Sequence, residues 1–206
     1  MSYISYRALG GLLRKDVVAA APALLGWDLV RGRLRARIVE VEAYREDEPA
    51  CHAFGKSSMK NMALWARPGV AYVYFAYGNH WMLNVVAHAA GDAAAILIRA
   101  ARPIAGQSEM FRRRLKAVRE EDLLSGPGKL AAAFAVTSAD NFVDLLDVKS
   151  ELHLETGEEP PGILAGPRVG IAIGKAHDYK WRFVDREAMR WVSQPRMKEW
   201  DVVREV

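Results

Sequence analysis

The chain has 206 residues, of which 51% are hydrophobic and 26% charged, which is typical of a folded globular protein and excludes general disorder. Its length suits one domain over residues 1–206, no apolar run approaches the length of about 20 residues that crosses a bilayer, and the N-terminus lacks a hydrophobic signal region. The net charge of +4 is compatible with a polyanionic partner but does not require one.

The first predicted elements are a helix and a β-hairpin. Apolar residues at helical spacing predict a helix over Leu9–Leu25, which Gly26 closes. Trp27–Val30 and Leu34–Tyr44 are typical of two paired strands. The following stretch, Arg45–Pro68, is polar and irregular, and ordered loops of that length are usually functional.

A three-stranded antiparallel meander is predicted next. Its first two strands are joined by Gly78-Asn79, a two-residue turn that needs a positive φ. A second turn at Gly91-Asp92 leads into an apolar strand that ends in a charge. The predicted strands are Ala71–Tyr77, His80–Ala87 and Ala93–Arg99.

The remainder predicts two helices and one further strand. Helical patterning covers Gln107–Glu120 and Lys129–Val136, and an acidic loop follows at Glu151–Pro161. Arg168–Ile173 has the pattern of a strand. We therefore predict an α+β fold: a single compact domain around a mostly antiparallel β-sheet, with a protruding β-hairpin and helices packed around the sheet.

The segment Ile38–Tyr44 carries the clearest chemical signal. Strand alternation predicts Ile38, Glu40, Glu42 and Tyr44 on one side. Two acids among apolar neighbours are costly to bury unless they are paired or used in chemistry. A carboxylate near several aromatic rings suits an enzyme that stacks a flat ligand and activates water against it. Periodicity does not separate Glu40 from Glu42 in that role.

Metal and cofactor chemistry is not predicted. Cys51 is the only cysteine, which excludes an internal disulfide and a multi-cysteine zinc site. His52 lacks companion ligands at suitable spacing, so it is not expected to bind a metal. We expect no metal and no cofactor, and a reducing, cytoplasmic location that is nucleoid-associated if the protein is bacterial.

Several motifs in the same order resemble those of the alkyladenine (3-methyladenine) DNA glycosylase family, the single-domain type with its own α/β fold. The resemblance runs from about Ala8 to Phe183, nearly the whole chain. The motifs are A-x-x-L-L-G at Ala21–Gly26, I-V-E-V-E-A-Y at Ile38–Tyr44, H-A-F-G-K at His52–Lys56, R-P-G-V-A-Y-V-Y-F-A-Y-G-N-H-W-M-L-N-V at Arg67–Val85, A-A-I-L-I-R-A at Ala94–Ala100, S-G-P-G-K-L at Ser125–Leu130 and P-R-V-G-I at Pro167–Ile171.

The resemblance implies a monofunctional DNA glycosylase of base excision repair that removes alkylated purines, and by extension deaminated ones. It selects Glu42 as the general base that activates the attacking water, and Arg99 as the residue that helps to hold the water and the carboxylate. Hydrolysis of an N-glycosidic bond makes the same demand, because a carboxylate stabilises oxocarbenium character while it delivers water.

The resemblance also implies how damaged DNA is bound. Tyr44 and His52 would stack on one face of the extruded base and Tyr74 on the other, since aromatic stacking accepts different bases. Asn84 would contact the purine and help to exclude guanine through its exocyclic amine. Tyr77, before the predicted turn, would enter the minor groove and fill the gap left by the flipped nucleotide.

Duplex DNA with damaged purines is the expected partner, bound by a monomer, and Lys60 and Lys129 are the expected backbone contacts. Two positions depart from the family pattern. Asn79 stands where family members often carry methionine as a second wedge, and Ser58–Asn61 reads S-M-K-N where T-P-R-N is common. Lys60 can neutralise a phosphate, but without the bidentate geometry of arginine.

Two other functions remain open at this point. A nucleoside N-glycosidase could use Glu40 and Glu42, although a free nucleoside needs no wedge such as Tyr77. A non-catalytic nucleic-acid-binding module could use the same scaffold, although intact Glu42 and Arg99 argue against it.

Overall fold

The computed structural model describes residues 4–55, 57–76, 78–89, 91–194 and 199–205. In this part of the chain, nine strands form one open sheet in which all pairings are antiparallel. The main strand order is β3-β4-β5-β2-β8-β7-β9, and β1 pairs with both β2 and β6. The strands are β1 (Asp28–Arg31), β2 (Leu34–Arg45), β3 (Ala71–Ala76), β4 (His80–Val86), β5 (Ala94–Ala105), β6 (Leu152–Glu155), β7 (Gly162–Gly166), β8 (Arg182–Asp185) and β9 (Asp201–Glu205).

Short helices pack against the sheet, which confirms the predicted α+β fold class. None of the helices in the described ranges is long and apolar enough to span a membrane. The α-helices are α1 (Tyr6–Leu13), α2 (Val17–Ala20), α3 (Gln107–Arg113), α4 (Glu120–Leu124) and α5 (Pro127–Ala133). Turns of 3₁₀-helix cover Ala21–Leu24, Met62–Trp65, Ser138–Asp140 and Arg186–Trp191.

Two predicted helices are shorter than their apolar patterns indicated. The stretch Leu9–Leu25 is divided because Asp16 has an extended backbone and its carboxylate accepts from the Ala19 N–H, so that it caps a new helix. The stretch Gln107–Glu120 ends as a helix at Arg113, and Glu120 begins the next one. The helical spacing of apolar residues continues across these breaks, because the positions of the breaks are set by local capping and not by the apolar pattern.

β2 and β5 are the central pair of the sheet, and two of the three shifts in their register are bulges that compensate each other. Ile38 pairs with Ala101 and Glu40 with Ala100, so Val39 is skipped; Val41 then pairs with Ile98, so Arg99 is skipped. A bulge inserts an unpaired residue and re-aims the side chains beside it. The bulges lie beside the two acids of β2.

The first bulge corrects the predicted alternation. Ile38 packs in the main hydrophobic core with Val41 and Ala43, whereas Val39 packs with Trp191 in a separate cluster. The predicted grouping of Ile38 with Glu40, Glu42 and Tyr44 is therefore wrong at Ile38. The extra residue at the bulge shifts the phase of the strand by one position.

The predicted meander is confirmed as β3, β4 and β5, with β3 and β4 forming a hairpin at one edge of the sheet. At its tip Gly78 has a φ of +71° and is exposed, as is Asn79. β5 continues to Ala105, beyond the predicted end at Arg99. The hairpin is joined through β4 to β5, the strand that carries Arg99.

The strand predicted over Arg168–Ile173 is absent from the described structure, and the segment is a loop. Gly170 and Gly174 have positive φ values of +76° and +82°, which strands do not adopt. The Val169 N–H donates to the carboxylate of Glu42 over 2.7 Å instead of to a neighbouring strand. Residues 169–172 of this segment line a cavity instead, while Ile173 is exposed.

Candidate active site

A cavity of about 450 Å³ opens on one face of the sheet. Its floor is built from residues that pair across adjacent strands, because cross-strand partners point to the same face. Tyr72 pairs with Asn84 and Asn84 with Leu97, and all three line the cavity. Leu97 pairs in turn with Glu42, which is fully buried and is not itself among the described lining residues. The walls include two loops, at residues 49–52 and 169–172, together with Lys175 and Pro127.

The Glu42 carboxylate is held by three hydrogen-bond donors at this cavity. Oε2 accepts from the Tyr44 hydroxyl over 2.7 Å and from Arg99 Nη1 over 3.1 Å, and Oε1 accepts from the Val169 N–H over 2.7 Å. The Glu42 side chain is 0% exposed, and all three donors line the cavity. Because a carboxylate has about four acceptor positions, these bonds leave Oε1 able to accept one more.

Glu40 has different surroundings. Its Oε1 accepts from Arg182 Nε over 2.7 Å, from the Ser193 hydroxyl over 2.8 Å and from Arg99 Nε over 3.1 Å, and its Oε2 accepts from the Ser193 N–H over 2.6 Å. Glu40 therefore accepts four bonds within the protein, against three for Glu42. Neither Arg182 nor Ser193 is among the described residues that line the cavity.

Arg99 joins the two acids. Its Nε reaches Glu40, its Nη1 reaches Glu42, and its Nη2 donates to the Ser193 hydroxyl over 3.1 Å. Burial opposes the charge of the guanidinium, but Glu42 and Glu40 outweigh it and raise the pKa of Arg99. The buried charges are thus paired, as they must be in a region of low polarity.

The Tyr44 hydroxyl is bound to the same carboxylate. Burial, and next the negative charge of Glu42, raise the pKa of Tyr44 well above its ordinary value. Tyr44 therefore remains a neutral hydrogen-bond donor to Glu42 at physiological pH.

Aromatic rings also line the cavity. Tyr72 and Tyr74 are stacked with centroids 5.4 Å apart, and His52 meets Tyr74 edge-on at 4.3 Å. His52 Nδ1 is 3.0 Å from the Tyr72 hydroxyl. His52 is exposed by its accessible area, yet its surroundings desolvate the ring enough to lower its pKa. Since His52 and Tyr74 are in contact, a base can lie between them only after one ring moves.

The remaining predicted site residues are distributed as follows. Asn84 is buried at the cavity, and its Nδ2 donates to the Tyr72 carbonyl over 2.9 Å, which orients the amide. Lys60 is exposed, whereas Lys129 is half-buried and donates to the Ser125 hydroxyl over 3.3 Å. Tyr77 lies outside the described residues.

Most of the described residues that line the cavity are not among the predicted site residues, and Tyr72 and Val169 are two of them. Tyr72 had a signal, because it is two residues from Tyr74 on the same strand and so shares its face. The Val169 N–H had none, because a backbone donor can belong to any residue type. The position of this N–H depends on the geometry of a loop, whereas the sequence pattern predicted a strand there.

Comparison with known proteins gives the class to which this fold and site belong. The family model of methylpurine-DNA glycosylase (MPG) matches residues 11–189. The chain therefore belongs to the methylpurine-DNA glycosylase family, which confirms the resemblance seen in its motifs.

Relatives from three organisms share the name "Putative 3-methyladenine DNA glycosylase". The protein of Rhodopseudomonas palustris (strain ATCC BAA-98 / CGA009) is 42% identical over 93% of this chain and 92% of its own length. That of Methanocella arvoryzae is 40% identical over 84% of this chain and 90% of its own. That of Francisella tularensis subsp. tularensis (strain FSC 198) is 40% identical over 85% and 93%.

Proposed function

We propose that this protein is a monofunctional DNA glycosylase that hydrolyses the N-glycosidic bond of 3-methyladenine-type purines in duplex DNA. The observation that carries the proposal is the buried Glu42 carboxylate, held by three donors at the wall of an aromatic cavity. Membership of the methylpurine-DNA glycosylase family and the names of the relatives support the same substrate class. Deaminated purines such as hypoxanthine are proposed as further substrates.

In the proposed mechanism Glu42 is the general base. The acceptor position left on Oε1 binds the attacking water, and the carboxylate takes its proton as oxygen bonds to the anomeric carbon. The negative charge of Glu42 also stabilises the oxocarbenium character that develops as the base departs. Arg99 and Tyr44 fix the carboxylate, so no reorganisation is needed during the reaction.

The substrate base is proposed to enter the cavity after the nucleotide is flipped out of the duplex. Extrusion costs a few kcal/mol, and Tyr77 is proposed to offset part of this by filling the gap. Tyr44, Tyr74 and His52 would then stack on the base, once the edge contact between His52 and Tyr74 opens. Electron-rich rings favour a cationic alkylated purine.

DNA binding is proposed to use the exposed Lys60 and the half-buried Lys129 against phosphates. Lys129 lies in α5, whose first residue, Pro127, lines the cavity, so this helix adjoins the path of a flipped nucleotide. We propose that the protein acts as a monomer, as one domain over residues 1–206, in the cytoplasm where the DNA of a bacterial cell would be.

The test is a panel of duplex oligonucleotides, each with one lesion, incubated with the protein and then treated with alkali to cleave abasic sites. Release of the free base, and strand cleavage only after alkali, is the expected result. Because Lys175 lines the cavity, the same reactions are run with borohydride, which would trap a Schiff base. Release from free nucleosides at a rate equal to that from duplexes would favour a nucleosidase. No release from any duplex would contradict a glycosylase.

A further inference from the structure

We propose that Arg168 and Glu48 form a positioning pair that sets the geometry of Glu42 by holding in place groups that donate hydrogen bonds to it. The inference rests on the proposed function, since Glu42 is the base of that reaction. It adds two residues that do not themselves touch the proposed substrate.

The pair is a fully enclosed bidentate ion pair. Arg168 Nη1 donates to Glu48 Oε1 over 2.7 Å, and Nη2 donates to Oε2 over 3.0 Å. The side chains are 0% and 2% exposed. The other described hydrogen bonds of the guanidinium go to the carbonyl oxygens of Ala43, over 2.9 Å, and Ala176, over 3.3 Å.

These bonds tie together the two loops that form the cavity walls. Glu48 Oε2 also accepts from the Ala50 N–H over 2.8 Å, which shapes the turn that leads to His52. Arg168 immediately precedes Val169, whose N–H donates to Glu42 Oε1. One ion pair therefore fixes the loop that carries a stacking residue and the loop that carries a donor to the base.

Arg168 also supports a second donor to Glu42. Its guanidinium carbon lies 4.6 Å from the ring centroid of Tyr44, and the Tyr44 hydroxyl donates to Glu42 Oε2. A cation over an aromatic face is attracted to it and restricts its movement. Arg168 therefore supports two of the three groups that donate to Glu42, namely the Tyr44 hydroxyl and the Val169 N–H.

A general role in stability explains this arrangement less well. Buried ion pairs are weak contributors to stability, because desolvation of both charges cancels most of their attraction. What a bidentate guanidinium does provide is fixed geometry. The value of Arg168 is that one planar group joins β2, the turn after β2 and the loop after β7.

The test replaces Arg168 by Lys, which keeps the charge but loses the planar fork. The matched control is Arg31→Lys. Arg31 likewise bonds a carboxylate, that of Asp140, and two carbonyl oxygens, those of Phe134 and Ala135. None of these control residues is among the described residues that line the cavity.

Single-turnover excision at saturating enzyme and lesion-DNA affinity are measured for both variants, with thermal unfolding as the gauge of stability. Arg168→Lys should lower the excision rate about 10- to 100-fold while affinity stays within a few fold, since a small displacement of a catalytic group has effects of that size. Arg31→Lys should lower the unfolding temperature comparably and leave the rate within about twofold. Equal rate losses in the two variants, or none in Arg168→Lys, would overturn the proposal.

Amide hydrogen exchange gives a readout that does not depend on activity. The Val169 amide should lose protection in Arg168→Lys relative to the Val41 amide in the central strand, and keep it in Arg31→Lys. Unchanged relative protection of Val169 would overturn the positioning role even if the wild-type protein released no base. A wild-type protein that releases no base overturns the proposed function and leaves this structural result to stand by itself.

Discussion

Arg99 Nη1 donates to Glu42 Oε2 over 3.1 Å, and Arg99 is one of the residues that the register of β2 and β5 skips. In a regular ladder that continued the pairing of Ile38 with Ala101, Arg99 would lie directly opposite Glu40. The bulges shift it so that its guanidinium spans Glu40 and Glu42 together. An irregular ladder thus gives two acids on one strand different surroundings: Glu40 is bonded to Arg182 and Ser193, and Glu42 is bonded by three groups that line the cavity.

The first prediction concerns this bridge. Arg99→Lys should reduce single-turnover excision about 100-fold, because an ammonium cannot direct two fixed bonds to Glu40 and Glu42 at once. Ser193→Ala is the control, since it removes a hydroxyl bonded to Glu40 and Arg99 but leaves the bond from Arg99 to Glu42. We expect the control to lose less than about tenfold. Similar losses in both would assign Arg99 to the stability of the network rather than to Glu42.

The second prediction concerns pH and His52. Desolvation lowers the pKa of His52 below its ordinary value of 6.5, so the ring is neutral at neutral pH and gains a proton only in more acidic solution. The stability that this shift provides is complete above pH 6.5 and is lost as the pH falls below it. A protonated ring would repel a cationic purine, so excision of cationic lesions should decline below pH 6.5.

The control for this effect is His52→Gln, which cannot gain the charge. Rates on a cationic lesion and on neutral hypoxanthine are compared across the acidic range. The decline on the cationic lesion should be weaker in His52→Gln than in the wild type. An unchanged decline would remove His52 from the base-binding surface.

The third prediction concerns discrimination against guanine. Asn84 lies on the cavity floor with its amide oriented by the Tyr72 carbonyl, and Asn84→Ala would open space there. Guanine and hypoxanthine differ only in the 2-amino group, so they form a matched pair of substrates. Asn84→Ala should raise the ratio of guanine to hypoxanthine excision about tenfold, which is near the lower end of the discrimination that one steric contact provides. A ratio that does not rise would show that the 2-amino group is excluded elsewhere.

The fourth prediction concerns the DNA backbone. Each neutralised phosphate contributes about −0.9 to the slope of log K against log salt. Lys60→Ala should therefore reduce the steepness of that slope by roughly one unit for damaged and undamaged duplexes alike. Lys149→Ala is the control, because Lys149 is also exposed but lies in the loop before β6, outside the proposed interface. Equal slopes for Lys60→Ala and wild type would exclude Lys60 from the interface.

The strands that form the cavity floor could be predicted from the sequence because their signals are local. The Gly78-Asn79 turn and the alternation in Ala71–Tyr77 predict a hairpin, and the structure has β3 and β4 there. The same alternation places Tyr74 beside Tyr72 on one face. Residues that share a strand therefore reach the site together, and their roles follow from their chemistry.

The parts that could not be predicted depend on contacts distant in sequence. Nothing local to Arg99 indicates a bulge, since the shift is a property of its pairing with β2. The loop at Arg168 has strand-like spacing, but its geometry is set by Glu48, 120 residues away. The difference between the surroundings of Glu40 and those of Glu42 likewise depends on Ser193, which bonds Glu40 from 153 residues away in the sequence.

The most direct test of the account compares Glu42→Gln with Glu40→Gln in single-turnover excision from a duplex with one lesion. Both changes are nearly isosteric and remove one charge from the same network. Glu42→Gln should slow excision by about 10²- to 10⁴-fold, the usual contribution of a general base, with lesion binding within a few fold. Glu40→Gln should lower the unfolding temperature, because Arg182 and Arg99 lose a charged partner, yet retain excision within about tenfold. An inactive Glu40→Gln beside an active Glu42→Gln would contradict the account.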